Sequence, residues 1–234
     1  MEELLILIIT GLGIGMSLMG VSTSIIFSPL IVWAYGSKLG NGIMIIPYFI
    51  ADIYITYKYR KDFNVKDTLK LVPFAFLGMI LAIFLIPYIS EEIFSKILGI
   101  LIIITNLLFF IKNYEKKFKK FASFFGFFGG LSSYLANISG PIFNIYFLSL
   151  NKNQKNFIGN RALFFTFLNF IKLFLYFFIY KNISTYTLSR SLITIPFLFL
   201  GIFSTGFFLK KISSETFSKI IVFLSLIIAI YLLI

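Results

Sequence analysis

Pro73-Phe74-Ala75-Phe76-Leu77-Gly78 returns further along the chain as Pro196-Phe197-Leu198-Phe199-Leu200-Gly201, and Ile89-Ser90-Glu91-Glu92-Ile93-Phe94-Ser95-Lys96-Ile97 returns as Ile212-Ser213-Ser214-Glu215-Thr216-Phe217-Ser218-Lys219-Ile220. Both matches have one offset, 123 residues. Two matches in one register point to a duplication of about half the chain. The seam falls in the basic stretch 112–120, which divides the chain into a first membrane repeat (1–112), a basic cytoplasmic linker (113–120) and a second membrane repeat (121–234).

The solvent for these repeats is lipid. Of 234 residues, 59% are hydrophobic and 13% charged, which would leave a water-soluble domain with too little polar surface to cover itself. Apolar runs such as 97–111 and 192–209 reach or approach the roughly 20 residues that cross a bilayer core. The opening Met1-Glu2-Glu3 has no basic stretch or cleavage site, so the first apolar segment reads as mature protein. The net charge of +12 sits in short clusters between apolar segments, where membrane topology accounts for it and nucleic acid need not. Cysteine and histidine are both absent, which excludes disulfides, thiolate chemistry, haem ligation by His and the usual zinc sites. With nine acidic residues, metal-dependent catalysis is poorly supplied, and no cofactor is expected.

Full spans are expected at 43–59, 69–88 and 93–111 in the first half, and at 157–180, 187–208 and 217–234 in the second. Each half also opens on an unusual segment. Residues 4–35 as one straight helix would run to about 48 Å and overshoot the core. The run is interrupted by Gly20-Val21-Ser22-Thr23-Ser24 and then Pro29, and 121–150 is interrupted by Asn137-Ile138-Ser139-Gly140-Pro141. If each head segment enters and leaves on one side, the halves have inverted topology, and 16 of the 21 basic residues, Arg161 among them, fall on the cytoplasmic side. Eight full crossings would set the basic loops of the halves against each other. A re-entrant hairpin and a pair of short spans give the same charge count. The expected fold is therefore all-α: two tandem inverted repeats, each a broken helical hairpin plus three transmembrane helices.

Broken helices at matching places in inverted halves are where transporters hold their solutes. The N-terminus of a half-helix presents unpaired N–H groups and partial positive charge, suited to an anion. The candidate substrate-binding residues are Ser22, Thr23 and Ser24 in one break, Asn137, Ser139 and Gly140 in the other, and Lys172. Small residues also serve plain helix packing, and it is the paired location that favours function. Asp52 and Lys172 are charges deep in spans, for which a structural ion pair or outward snorkelling competes with function. Asp52 is the candidate ion-coupling residue, as a proton carrier. Gly11-Leu12-Gly13-Ile14-Gly15 lacks the preceding strand of a nucleotide loop and reads as a close-packing surface. Ser90 and Ser213 read as N-caps.

The second half resembles the TauE/SafE sulfite exporter family of membrane permeases. The resemblance is carried by Gly129-Gly130-Leu131-Ser132, Asn137-Ile138-Ser139-Gly140-Pro141, Phe157-Ile158-Gly159-Asn160-Arg161-Ala162, Asn169-Phe170-Ile171-Lys172 and the segment 196–206. It implies transport of sulfite, organosulfonate or a related sulfur-containing anion. Met19-Gly20-Val21-Ser22-Thr23 departs from the fuller glycine-rich pattern of the family, and Asn160-Arg161 stands where small or hydroxyl residues are common. Arg161 is a cytoplasmic anchor or a gate candidate. The expected protein is a multi-pass permease of the inner (plasma) membrane working by ion-coupled alternating access, not an enzyme. Its partners are a small anionic substrate and membrane lipid, with a homo-oligomer left open and no nucleic acid. A lipid-modifying enzyme would need a nucleophile with a base or clustered acids, which do not appear, and a non-transporting scaffold or insertase is the third class.

Overall fold

The computed structural model describes residues 2–16, 24–85, 88, 90–109, 121–137, 139–150 and 153–234, and every regular element among them is helical. The first half holds α1 (Glu2–Met16), α2 (Ser24–Lys58), α3 (Val65–Leu69), α4 (Val72–Leu85) and α5 (Glu91–Phe109). The second holds α6 (Ala122–Ala136), α7 (Gly140–Leu150), α8 (Gln154–Leu175) with a π-helical turn at Tyr176–Tyr180, α9 (Thr185–Leu209) and α10 (Ser214–Leu233). Among the described residues, four stretches are long and apolar enough to cross a membrane: Lys38–Lys58, Val65–Leu85, Gln154–Tyr180 and Thr185–Phe208. Large apolar side chains such as Phe84, Phe174, Phe203 and Phe223 face outward, while Asp52, Asn160, Arg161, Asn169 and Lys172 are buried. Apolar outside and polar inside is the distribution that lipid selects, and the chain is a membrane protein.

Helix ends follow the local chemistry. Asn64, Asn153, Ser184 and Ser213 each accept a hydrogen bond from a backbone N–H in the first turn of the helix that follows, and Ser90 accepts one from Ile93. Gly36, at φ 77° and ψ 158°, divides α2 into two helices, because that region is open to glycine without a Cβ clash. The head segment thus ends at Tyr35, as read from the sequence. The span expected at 69–88 is α4, and the short α3 precedes it. Pro73 has no N–H to give the carbonyl four residues back, and the chain turns at Lys70–Leu71. Its counterpart Pro196 lies inside an unbroken α9. The basic linker 113–120 lies outside the described residues.

At the centre, the second part of α2 and α8 run antiparallel. Asn182 Nδ2 donates to Lys38 O (3.0 Å), Asn169 Nδ2 to Asp52 Oδ2 (2.6 Å) and Asn156 Nδ2 to Asp62 O (2.9 Å), and the hydroxyls of Thr56 and Thr166 pair at 2.9 Å. Numbers fall along one helix as they rise along the other.

Around this pair, α1 packs on α9 and α6 on α4, while α5 meets α10. Glycines set the first two contacts. A Cβ on Gly11 would lie 2.4 Å from Thr194 O, and one on Gly15 would lie 2.1 Å from Leu198 O. In the other half, Gly126 and Gly130 stand 2.8 Å and 2.1 Å from Leu71 O and Ala75 O by the same measure. Seen from the opposite helices, Gly78 meets Phe127 O at 2.0 Å and Gly201 meets Leu12 O at 2.3 Å. These contacts map onto one another by a shift of 115 residues in α1 and α6 and of 123 in α4 and α9. Within each head, a glycine also receives a phenylalanine ring from the following helix, Gly13 from Phe27 and Gly129 from Phe143.

Candidate functional site

The second break is built by three residue types. Asn137 caps α6 in the left-handed region (φ 56°), with its N–H on Ser133 O at 3.2 Å, a conformation that asparagine tolerates better than most side chains. Pro141 cannot continue a preceding helix, and α7 starts at Gly140 with Phe143 N–H on Ser139 O (3.1 Å). The carbonyl end of α6 and the amide end of α7 therefore both stop inside the protein, where Ser133, Asn137, Ser139 and Gly140 are buried. Such ends carry roughly half a charge each, negative on α6 and positive on α7.

Opposite the break, α8 turns Arg161, Phe165, Asn169 and Lys172 to one side, a spacing of four, four and three that lines one helical face. α2 adds Tyr48 and Asp52, one turn apart. These residues, with Ser133, Asn137, Ser139 and Gly140, line a half-open pocket whose empty space, its open mouth included, is about 360 Å³.

The charges inside it are held differently. Lys172 is 2% exposed, and its Nζ donates to Ser133 O (3.1 Å), Ser133 Oγ (3.3 Å) and Asn137 Oδ1. Asn137 in turn donates from Nδ2 to Asn41 Oδ1 at 2.5 Å. Arg161, 3% exposed, donates from Nε to Asn144 Oδ1 (2.8 Å) and lies 4.8 Å from the Phe165 ring centre. Asp52 is fully buried. Its Oδ2 accepts from Asn169, and its Oδ1 has no hydrogen-bond partner among the described residues. Ionised groups at this depth cost about 2.5–3.5 kcal/mol each on insertion scales, so three in one cavity ask for a function.

Asn137, Ser139, Gly140, Lys172, Asp52 and Arg161 thus line one cavity. Arg161 is not the loop-side anchor that the charge count made of it. It stands two turns inside α8, whose N-cap is Asn153, and is buried. Ser22 and Thr23 lie outside the described residues, and of Ser24 only the backbone is described, as the first residue of α2. Sequence reasoning did not single out Tyr48, Ser133, Asn144 or Phe165, whose types are ordinary in apolar helices. Asn41 had a signal, since Gly40-Asn41 repeats as Gly159-Asn160 at an offset of 119. Asn160 Oδ1 accepts from Asn64 N–H (2.6 Å) and Thr68 Oγ1 (2.9 Å), which ties α8 to the loop before α3.

No curated protein and no solved structure matches the chain. The family model described as sulfite exporter TauE/SafE matches residues 5–232. A buried, charged cavity at a helix break in a membrane protein, and a match over nearly its whole length, place this chain in the TauE/SafE sulfite exporter family.

Proposed function

We propose that the chain is a permease of the inner (plasma) membrane that carries sulfite, an organosulfonate or a related sulfur-containing anion by ion-coupled alternating access. The observation that carries this reading is the cavity itself, where Arg161 and Lys172 share one lining with Ser139 and Gly140 at the start of α7 and small polar groups supply the rest. Two cations and one carboxylate leave one positive charge, which a monovalent anion would neutralise. Gly140 and Ser139 line the pocket at the start of the α7 backbone, the helix end whose amides suit an anion. Arg161 is the anion-attracting gate residue in this reading, Lys172 adds charge, and Asp52, one of whose carboxylate oxygens has no hydrogen-bond partner among the described residues, is the proton carrier. Ser22, Thr23 and Ser24 would serve the same end from the first break.

Two inverted repeats supply the means of alternating access. The reciprocal glycine contacts and the antiparallel central pair favour that arrangement, since each follows from exchanging the halves. Counterflow in proteoliposomes holding only this protein tests the reading. Labelled sulfite should exchange faster when the vesicles are preloaded with sulfite or a competing sulfonate. Flux no greater than in empty vesicles, with the protein correctly inserted, would remove the proposal.

A further inference from the structure

Lys172 lies where its chemistry does not fit a plain anion ligand. An ammonium has three N–H bonds, and here three oxygens accept them: the carbonyl and hydroxyl of Ser133 and the amide oxygen of Asn137. The amide of Asn137 faces this way because its nitrogen donates to Asn41 Oδ1. Lys172 therefore lends the cavity its charge but no spare donor. The acceptors belong to the last turn of α6 and its cap, the end of a half-helix that carries partial negative charge. Convergent oxygens at the unwound C-terminal end of a broken helix are the kind of place where a membrane protein binds a small monovalent cation.

We propose that the ammonium of Lys172 is a tethered substitute for a bound monovalent cation at the C-terminal end of α6. It neutralises the α6 carbonyl end while the facing α7 amide end stays open to an anion, so this break works without a free metal ion. Deleting the side chain takes the ammonium from Ser133 Oγ and Asn137 Oδ1 and leaves Ser133 O with the Asn137 N–H alone, at a negative helix end in the cavity that Asp52 also lines. Lys172→Ala should thus expose a latent site for sodium or, better, for an alkylammonium that replaces the missing tail. The inference rests on the proposed transport reading only for its consequence that sodium does not couple through this break.

The test needs no anion. Thermal unfolding of the purified protein in nanodiscs is followed in sodium, lithium, methylammonium and propylammonium chlorides against choline chloride at constant ionic strength. Lys172→Ala should gain Tm saturably with one or more of the smaller cations, by about 3–5 °C at ten times the half-saturating concentration. The wild type should not respond. Adding Ser133→Ala to Lys172→Ala should raise the half-saturating concentration several-fold, since one oxygen ligand is lost. Equal Tm of Lys172→Ala in all five salts, an equal response in the wild type, or failure of Lys172→Ala to fold in any of them would overturn the proposal. Absence of sulfite counterflow in the wild type would count against the transport reading alone.

Discussion

Asp52 shows what a lone acid in a span can be used for. One carboxylate oxygen is held by Asn169 at 2.6 Å, and the other has no partner among the described residues and belongs to a residue lining the cavity. A group that takes up a proton while the cavity faces one side and releases it on the other should be needed for uphill movement but not for exchange. Asp52→Asn is expected to keep sulfite counterflow and to lose accumulation driven by a pH gradient; accumulation at the wild-type level would take Asp52 out of the coupling. Arg161→Gln removes a charged donor, worth about 1.5–3 kcal/mol in a hydrogen bond, and should raise the KM for sulfite roughly 10- to 100-fold. An unchanged KM in transport assays would make Arg161 structural. Asp52 and Lys172 were legible in the sequence because a charge within an apolar run is conspicuous. Arg161 was misplaced because it stands only eight residues beyond Asn153, close enough to the preceding loop to count as part of it. The amide of Asn144 was not legible, since a lone amide in a membrane helix is as consistent with packing as with a site, whereas Asn41 could have been found from the repeated Gly-Asn pair.

At the scale of elements, the second break could be read from residues that refuse to continue a helix. The second break falls where Asn137 and Pro141 put it, while Pro29 of the first head lies inside α2 and not at the break. The short helix α3 was not expected, because Val65-Lys66-Asp67-Thr68-Leu69 is too brief and too charged to stand out from a loop. The glycines of α1 and α6 were read as close-packing residues without their partners, because the contact belongs to the other half of the chain. That contact is testable. A Cβ at Gly78 or Gly201 would lie 2.0 Å or 2.3 Å from a carbonyl oxygen of the facing helix, so Gly78→Ala and Gly201→Ala should each destabilise by about 1–3 kcal/mol through overpacking. Unfolding of the two variants in mild detergent should give similar losses, since the two positions hold the same place in the two halves. A loss in one and none in the other would argue that the halves are not built alike.

In the whole molecule the two halves of the chain pack against each other. α1 finds its packing surface on α9, α6 finds its own on α4, and the antiparallel pair between them carries most of the buried charge. The duplication was visible as a 123-residue offset, but the second offset of 115 was not, because α1 and α6 share only scattered glycines. If the halves are inverted, the loops at Lys66 and Lys211 lie on the cytoplasmic side and those at Lys38 and Lys181 outside. The chain has no cysteine, so single substitutions of these lysines by cysteine can be labelled without background. An impermeant thiol reagent added to cells should modify Lys38→Cys and Lys181→Cys and spare Lys66→Cys and Lys211→Cys; labelling of one loop from each pair would contradict the inversion. The claim beneath all of this is that a small anion sits between Arg161 and the start of α7. Equilibrium binding of radiolabelled sulfite to the purified protein in nanodiscs addresses it most directly. Saturable binding that organosulfonates displace, and that Arg161→Gln weakens at least about tenfold, is the predicted result. No saturable binding by folded wild type, or binding undiminished in Arg161→Gln, would contradict it.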